Sequence, residues 1–171
     1  MKTNLAMRKL FSYLAPTSLE PTLNQIIDRG FEIRDNCYFL TALFPKNTNV
    51  TRTSFHDCTG YECFINKIHI EDYDDKSPIS QAIQFIFHVF MAWRKFNQIL
   101  ILTSIISISK YDIDGSNVDR LAVVVKFHIK RPTEQWLAED IEGYEEPIMV
   151  IESSEDLTMI LATLFPKLNS P

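Results

Sequence analysis

ISQAIQFIFHVFMAWRKF, residues 79–96, reads as a helix with almost no polar side. Its polar positions Gln81, Gln84, His88 and Lys95 recur at spacings of three, four and seven, a narrow wet stripe on an otherwise apolar cylinder. Such a helix is mostly buried. Ser77-Pro78 marks its start, with proline at the first helical position. The residues beyond it carry a different period. Ile99–Ser109 and Leu121–Lys130 are rich in β-branched side chains and flank Asp112-Ile-Asp-Gly-Ser-Asn117, the pattern of a long hairpin. In the second arm Leu121, Val123, Val125, Phe127 and Ile129 share one face, while Lys126, His128 and Lys130 occupy the other.

Toward the amino terminus, Thr3 or Asn4 caps a predicted helix to about Leu14, and Ser18 caps a second through Arg29, ended by Gly30 in the left-handed conformation. Phe31–Arg34, Cys37–Phe44 and Tyr61–Ile70 read as strands, and Pro45–Ser54 as an exposed loop or weak edge strand. Toward the carboxyl terminus, Trp136–Asp140 reads as a short helical turn and Ile148–Glu152 as a strand. Ser154–Phe165 is a last helix, opened by Ser153, Ser154, Glu155 and Asp156 and ended by Pro166. The expected fold is α+β: one domain over residues 1–171, with a five- or six-stranded antiparallel or mixed sheet packed against helices and one long buried helix at about 79–96.

Composition narrows the function. A chain of 171 residues with 46% hydrophobic and 23% charged side chains fills one core without metal or disulfide staples, which excludes disorder and collagen-like repeats. Three cysteines, Cys37, Cys58 and Cys63, are an odd number that gives no disulfide framework, so a reducing compartment is expected. Lys2, Arg8 and Lys9 precede an apolar run, but Ser12 and Pro16 bracket it too closely for a secretion signal, and the cytoplasm is the expected location. No membrane span is expected, because neither Ile79–Trp93 nor Ile99–Ile108 reaches the roughly 20 apolar residues a bilayer requires. A net charge of −5 without a basic stripe argues against direct nucleic-acid binding.

Catalytic and metal motifs are sparse. Cys58, Cys63 and His69 have a loosely metal-like composition, yet four residues separate the cysteines and no second pair exists, so no metal is expected. A Cys/His nucleophile pair there would sit beside Glu62 and other acids, which oppose a lowered thiol pKa. Counted from Asp112 as a calcium loop, Gly115 falls fourth and Val123 twelfth, where that chemistry needs glycine sixth and glutamate twelfth. His88 and His128 are isolated, and four glycines leave little material for a phosphate-cradling loop. No catalytic residue and no cofactor are assigned.

The charges are more informative. Residues 1–58 carry seven basic and five acidic side chains, residues 59–130 eight of each, and residues 131–171 two basic against nine acidic. Two runs interleave acids with aromatics: Glu71, Asp72, Tyr73, Asp74 and Asp75, and Trp136, Glu139, Asp140, Glu142, Tyr144, Glu145 and Glu146. Such runs suit a partner rich in lysine and arginine, with the rings as anchors and the carboxylates steering. These twelve residues are the candidate partner-binding site.

Across Tyr61–Asp156 the sequence resembles the immunity proteins of bacterial contact-dependent growth inhibition systems. The likeness runs through Glu71-Asp-Tyr-Asp-Asp75, the helix Ile79–Phe96, the hairpin around Asp112–Asn117 and Glu139-Asp-Ile-Glu-Gly-Tyr-Glu-Glu146. The resemblance implies a non-enzymatic cytoplasmic protein that neutralises the C-terminal toxin domain delivered by a competing cell, frequently a basic nuclease. The expected partner is that cognate toxin domain, and the free chain is expected to be a monomer. Two other classes compete: a secretion chaperone for an extended effector segment, which requires an obligate homodimer, and a small hydrolase or transferase without familiar motifs.

Overall fold

The computed structural model describes residues 1–44, 50–112 and 119–165. Its helices are α1 (Leu5–Arg8), α2 (Pro21–Asp28), α3 (Cys58–Ile65), α4 (Pro78–Phe96) and α5 (Leu157–Leu164). Its strands are β1 (Lys2–Thr3), β2 (Phe31–Arg34), β3 (Cys37–Leu40), β4 (Lys67–His69), β5 (Leu102–Asp112), β6 (Asp119–Ile129) and β7 (Ile148–Glu152). Five of them form an antiparallel sheet in the order β1-β7-β5-β6-β4, and β2 and β3 form a separate hairpin. The α+β class and the five-stranded sheet agree with the sequence pattern.

α4 forms where its periodicity places it, with Pro78 in the first turn and Arg94 and Lys95 in the last, where their charge complements the helix dipole. Its apolar circumference, including Phe85, Phe90 and Trp93, packs on one face of the sheet against Leu102, Ile106, Val123, Val125, Phe127, Ile129, Met149 and Ile151. The β5–β6 hairpin runs in unbroken register from Leu102↔Ile129 to Asp112↔Asp119. β2 and β3 turn on Asp35 and Asn36, whose φ values of 50° and 60° fit a tight hairpin turn, and short polar side chains tolerate that conformation.

Several expectations need correction. Tyr61–Ile70 is not a strand: Cys58–Ile65 is helical, because Asp57 caps it by accepting from Gly60 N, and only Lys67–His69 pairs with β6. Cys37 and Cys58 form a disulfide, against the expectation that the three cysteines give no disulfide framework; the two lie 21 residues apart, and no local spacing signals that α3 docks on β3. The first helix breaks into Leu5–Arg8 and a 3-10 turn at Phe11–Tyr13, with Asn4 as its cap, and Lys2–Thr3 adds an unforeseen edge strand. The second begins at Pro21 with Glu20 as cap. Cys37–Phe44 shortens to Cys37–Leu40, the last helix to Leu157–Leu164, and the turn expected at Trp136–Asp140 lies instead at Ile141–Gly143. The tip of the long hairpin, the start of the loop after Phe44 and the stop at Pro166 lie outside the described residues.

The small hairpin is fastened to the main sheet by two side chains of the α3 end. Glu62, fully buried, accepts from Tyr38 N and from Ile129 N, each at 2.8 Å. Asn66 accepts from Leu40 N at 2.9 Å and donates to Tyr38 O at 2.9 Å and Phe127 O at 3.2 Å. These two residues stand in for a strand between β3 and β6 and satisfy backbone groups that have no strand neighbour there.

Candidate functional site

The sheet face opposite α4 is crossed by residues 131–147. This strap is pinned along its length. Arg131 grips Glu62 through both terminal guanidinium nitrogens, at 2.8 and 2.6 Å. Burial works against the Arg131 charge, and the Glu62 carboxylate more than restores it, so its pKa is raised. Glu134 accepts from Thr59 N at 2.8 Å. Leu137, Ile141 and Tyr144 then pack on Ile105, Ile148 and Val150 of the sheet. Ala138 N donates to the Tyr144 hydroxyl at 3.0 Å, and the Asn4 amide donates to Tyr144 O and Glu146 O at 3.2 and 2.7 Å.

Within the strap the predicted acids separate into two kinds. Glu142 accepts from Arg8 at 2.7 Å and Leu5 N at 2.8 Å, and the hydrogen bond from Arg8 holds its carboxyl below the ordinary range. Asp140 accepts from Glu142 N and caps the turn. Glu139, Glu145 and Glu146 are exposed and make no ion pair among the described residues. Trp136 is 40% exposed beside them, with Lys126 Nζ 4.8 Å from its ring centre. Beneath the strap lies a cleft of about 160 Å³. His128 and Thr103 on its floor are a cross-strand pair. His128 Nδ1 bonds Ile129 O at 2.9 Å, and Thr103 Oγ1 has no hydrogen-bond partner among the described residues. Lys2, Lys130, Glu134, Glu139 and Glu152 also line the cleft, and Lys130 pairs with Glu152 at 2.8 Å, so its walls carry both signs of charge.

The other acidic run lies on the α4 side. Glu71 bonds His69 at 3.0 Å and accepts from Val123 N at 2.9 Å, closing the ladder where β4 ends. Tyr73 packs against the main core. Asp74 accepts from Lys76 N and from Ser77 N and Oγ, shaping the start of α4. Burial pushes its carboxyl up, and these hydrogen bonds outweigh burial and hold it below its ordinary value. Asp72 and Asp75 are exposed. The two runs therefore lie on opposite sides of the sheet and form no common patch.

Residues 2–165 match the family described as Uncharacterized protein PM0498 family. The chain belongs to that family. No curated protein and no solved structure matches it.

The sequence reading missed what organises this PM0498-family fold. Glu62 and Arg131 are 69 residues apart, and nothing local shows that a lone glutamate in an apolar helix meets an arginine after β6. Cys63 is fully buried and its thiol is pushed well up by that burial, which makes it a poor nucleophile. Among the described residues no group of three or more His, Cys, Asp and Glu side chains could hold a metal ion, and no helix is long and apolar enough to cross a membrane.

Proposed function

We propose that this chain is a binding protein that docks a basic protein partner on the outer rim of the strap, and that it acts as an immunity protein for a cognate toxin domain, in the cytoplasm of the producing cell. One observation carries the docking reading: Glu139, Glu145 and Glu146 project from a firmly anchored segment beside the exposed Trp136, with no ion-pair partner among the described residues. A rigid carboxylate rim pays little ordering entropy on binding, and an aromatic ring at its centre provides anchor area. The immunity role rests on the sequence resemblance and on that rim.

The cytoplasmic assignment bears on the Cys37–Cys58 bond, since a glutathione-buffered compartment would hold both as thiols. The test is whether the gene immediately upstream ends in a toxin domain, and whether that domain, co-expressed with this chain, is bound by it. Wild-type chain should co-purify with that domain and protect cells from it, and Glu139→Lys combined with Glu145→Lys should do neither while keeping its circular-dichroism spectrum. Protection that survives the double reversal rules out the strap as the docking site, and failure of the wild type to bind rules out the immunity role.

A further inference from the structure

The edges of the five-stranded sheet are short and finished by side chains. β1 has two residues, with Asn4 accepting from Ile148 N just beyond it, and β4 has three, with Glu71 accepting from Val123 N where it stops. β2 is not finished in that way. Thr41 N donates to Gly30 O at 3.0 Å, and Tyr38 N and Leu40 N turn away from β2 toward Glu62 and Asn66. Antiparallel alternation therefore directs the backbone N–H and C=O of their register partners Ile33 and Phe31 outward. Outside the β2–β3 ladder, neither residue's backbone has a hydrogen-bond partner among the described residues. Phe31-Glu-Ile-Arg34 contains no proline, and its two charges are of opposite sign and pair with each other, so they give the edge no net repulsion. Ile33 is 53% exposed, and Phe96, 45% exposed, lies tilted against Phe31 with ring centres 5.4 Å apart, so an apolar surface flanks the edge.

We propose that β2 pairs antiparallel with β2 of a second copy of this chain, about a two-fold axis at Ile33. The charges choose the occupant. Glu32 and Arg34 flank Ile33 on one face of the hairpin and pair with each other at 2.6 Å. An acidic strand laid on this edge meets Glu32, and a basic one meets Arg34. A second copy in this register meets neither conflict: Glu32 lies opposite Arg34 of the second copy, and Arg34 opposite its Glu32. Ile33 exchanges both backbone hydrogen bonds with its own symmetry mate, and the two exposed side chains cover each other. A four-residue seam buries little area and the net charge of −5 opposes association, so the dimer is weak and concentration-dependent, not obligate. The strap lies elsewhere, and its partner is not involved.

Sedimentation of the full chain from low micromolar to millimolar concentration should show the average mass rising toward that of a dimer. Amide exchange at Ile33 should slow over the same range while exchange at Glu32, bonded within the hairpin, stays constant. Ile33→Pro removes an outward N–H without touching the internal ladder, so it should fold and stay monomeric. Arg34→Glu sets carboxylates opposite one another twice and should weaken association by roughly tenfold. Adding Glu32→Arg to it should restore association, which keeps the test open if the proline variant misfolds. A wild-type chain that remains monomeric with rapid Ile33 exchange throughout overturns the proposal, as does association that is indifferent to the charge series.

Discussion

Glu62 is the residue on which most of the architecture converges. Its two oxygens accept from β3, from β6 and from both ends of the Arg131 guanidinium, with no exposure to water. Removing one partner of a buried pair strands the other in low dielectric, at a cost of about 3–5 kcal/mol. Glu62→Ala should therefore lose stability on that scale in urea unfolding and detach the small hairpin. Replacing Glu62 and Arg131 together by apolar residues should cost much less than the sum of the single changes. His128 offers a second test at this scale. Burial holds its pKa below the ordinary 6.5, against smaller contributions from Ile129 O and Glu62 that raise it. A depressed histidine is neutral in the fold and takes its proton more readily when unfolded. Its contribution is thus complete above about pH 6.5 and is lost as pH falls from there through the folded pKa. Wild-type stability should decline with acidification below that point, and His128→Gln should show a shallower decline in urea titrations at stepped pH.

At the scale of elements, legibility followed periodicity. α4 and the β5–β6 hairpin were readable because their apolar positions repeat at 3.6 and 2.0 residues over long stretches. α3 was misread because Tyr61, Cys63 and Ile65 alternate like a strand, whereas its buried face includes Cys58, Tyr61, Glu62 and Ile65, and the carboxylate in that face hides the helical period. The disulfide was hidden for a related reason, since Cys58 meets Cys37 only once α3 is recognised as a helix docked on β3. With the two cysteines 21 positions apart, this crosslink should contribute about 3 kcal/mol by restricting the unfolded chain. Reduction, or Cys37→Ser, should then lower the melting temperature by roughly 6–12 °C. The main core around α4 does not include this bond, so the reduced protein should remain folded at ambient temperature. Asp74→Ala removes three hydrogen bonds at the start of α4 and should cost about 1 kcal/mol in the same assay. That makes Asp74 a poor position for probing partner binding.

For the whole molecule, two chemically similar acidic runs end up with different roles because the fold decides which carboxylates are already occupied. Glu71, Asp74 and Glu142 bind backbone groups or arginine of their own chain, at positions up to 137 residues away, and no inspection of composition could have shown this. What remains is a one-sided molecule, with a helical layer on one face and an anchored strap with exposed Glu139, Glu145 and Glu146 on the other. Exposed charges act on association more than on the lifetime of a complex, because they bend the approach path before any contact forms. Single reversals at Glu139, Glu145 or Glu146 should therefore lower the association rate with a basic partner by roughly two- to tenfold at low salt, with the dissociation rate little changed. The difference should shrink as ionic strength shortens the screening length to about 8 Å near physiological salt. Trp136→Ala should show the opposite pattern in stopped-flow or surface-capture kinetics, faster dissociation with a nearly normal on-rate, because an anchor acts only after contact. If reversal at Asp72 and Asp75 slows association as much as reversal on the strap, the partner is responding to net charge alone, and the one-sidedness of the fold has no part in recognition.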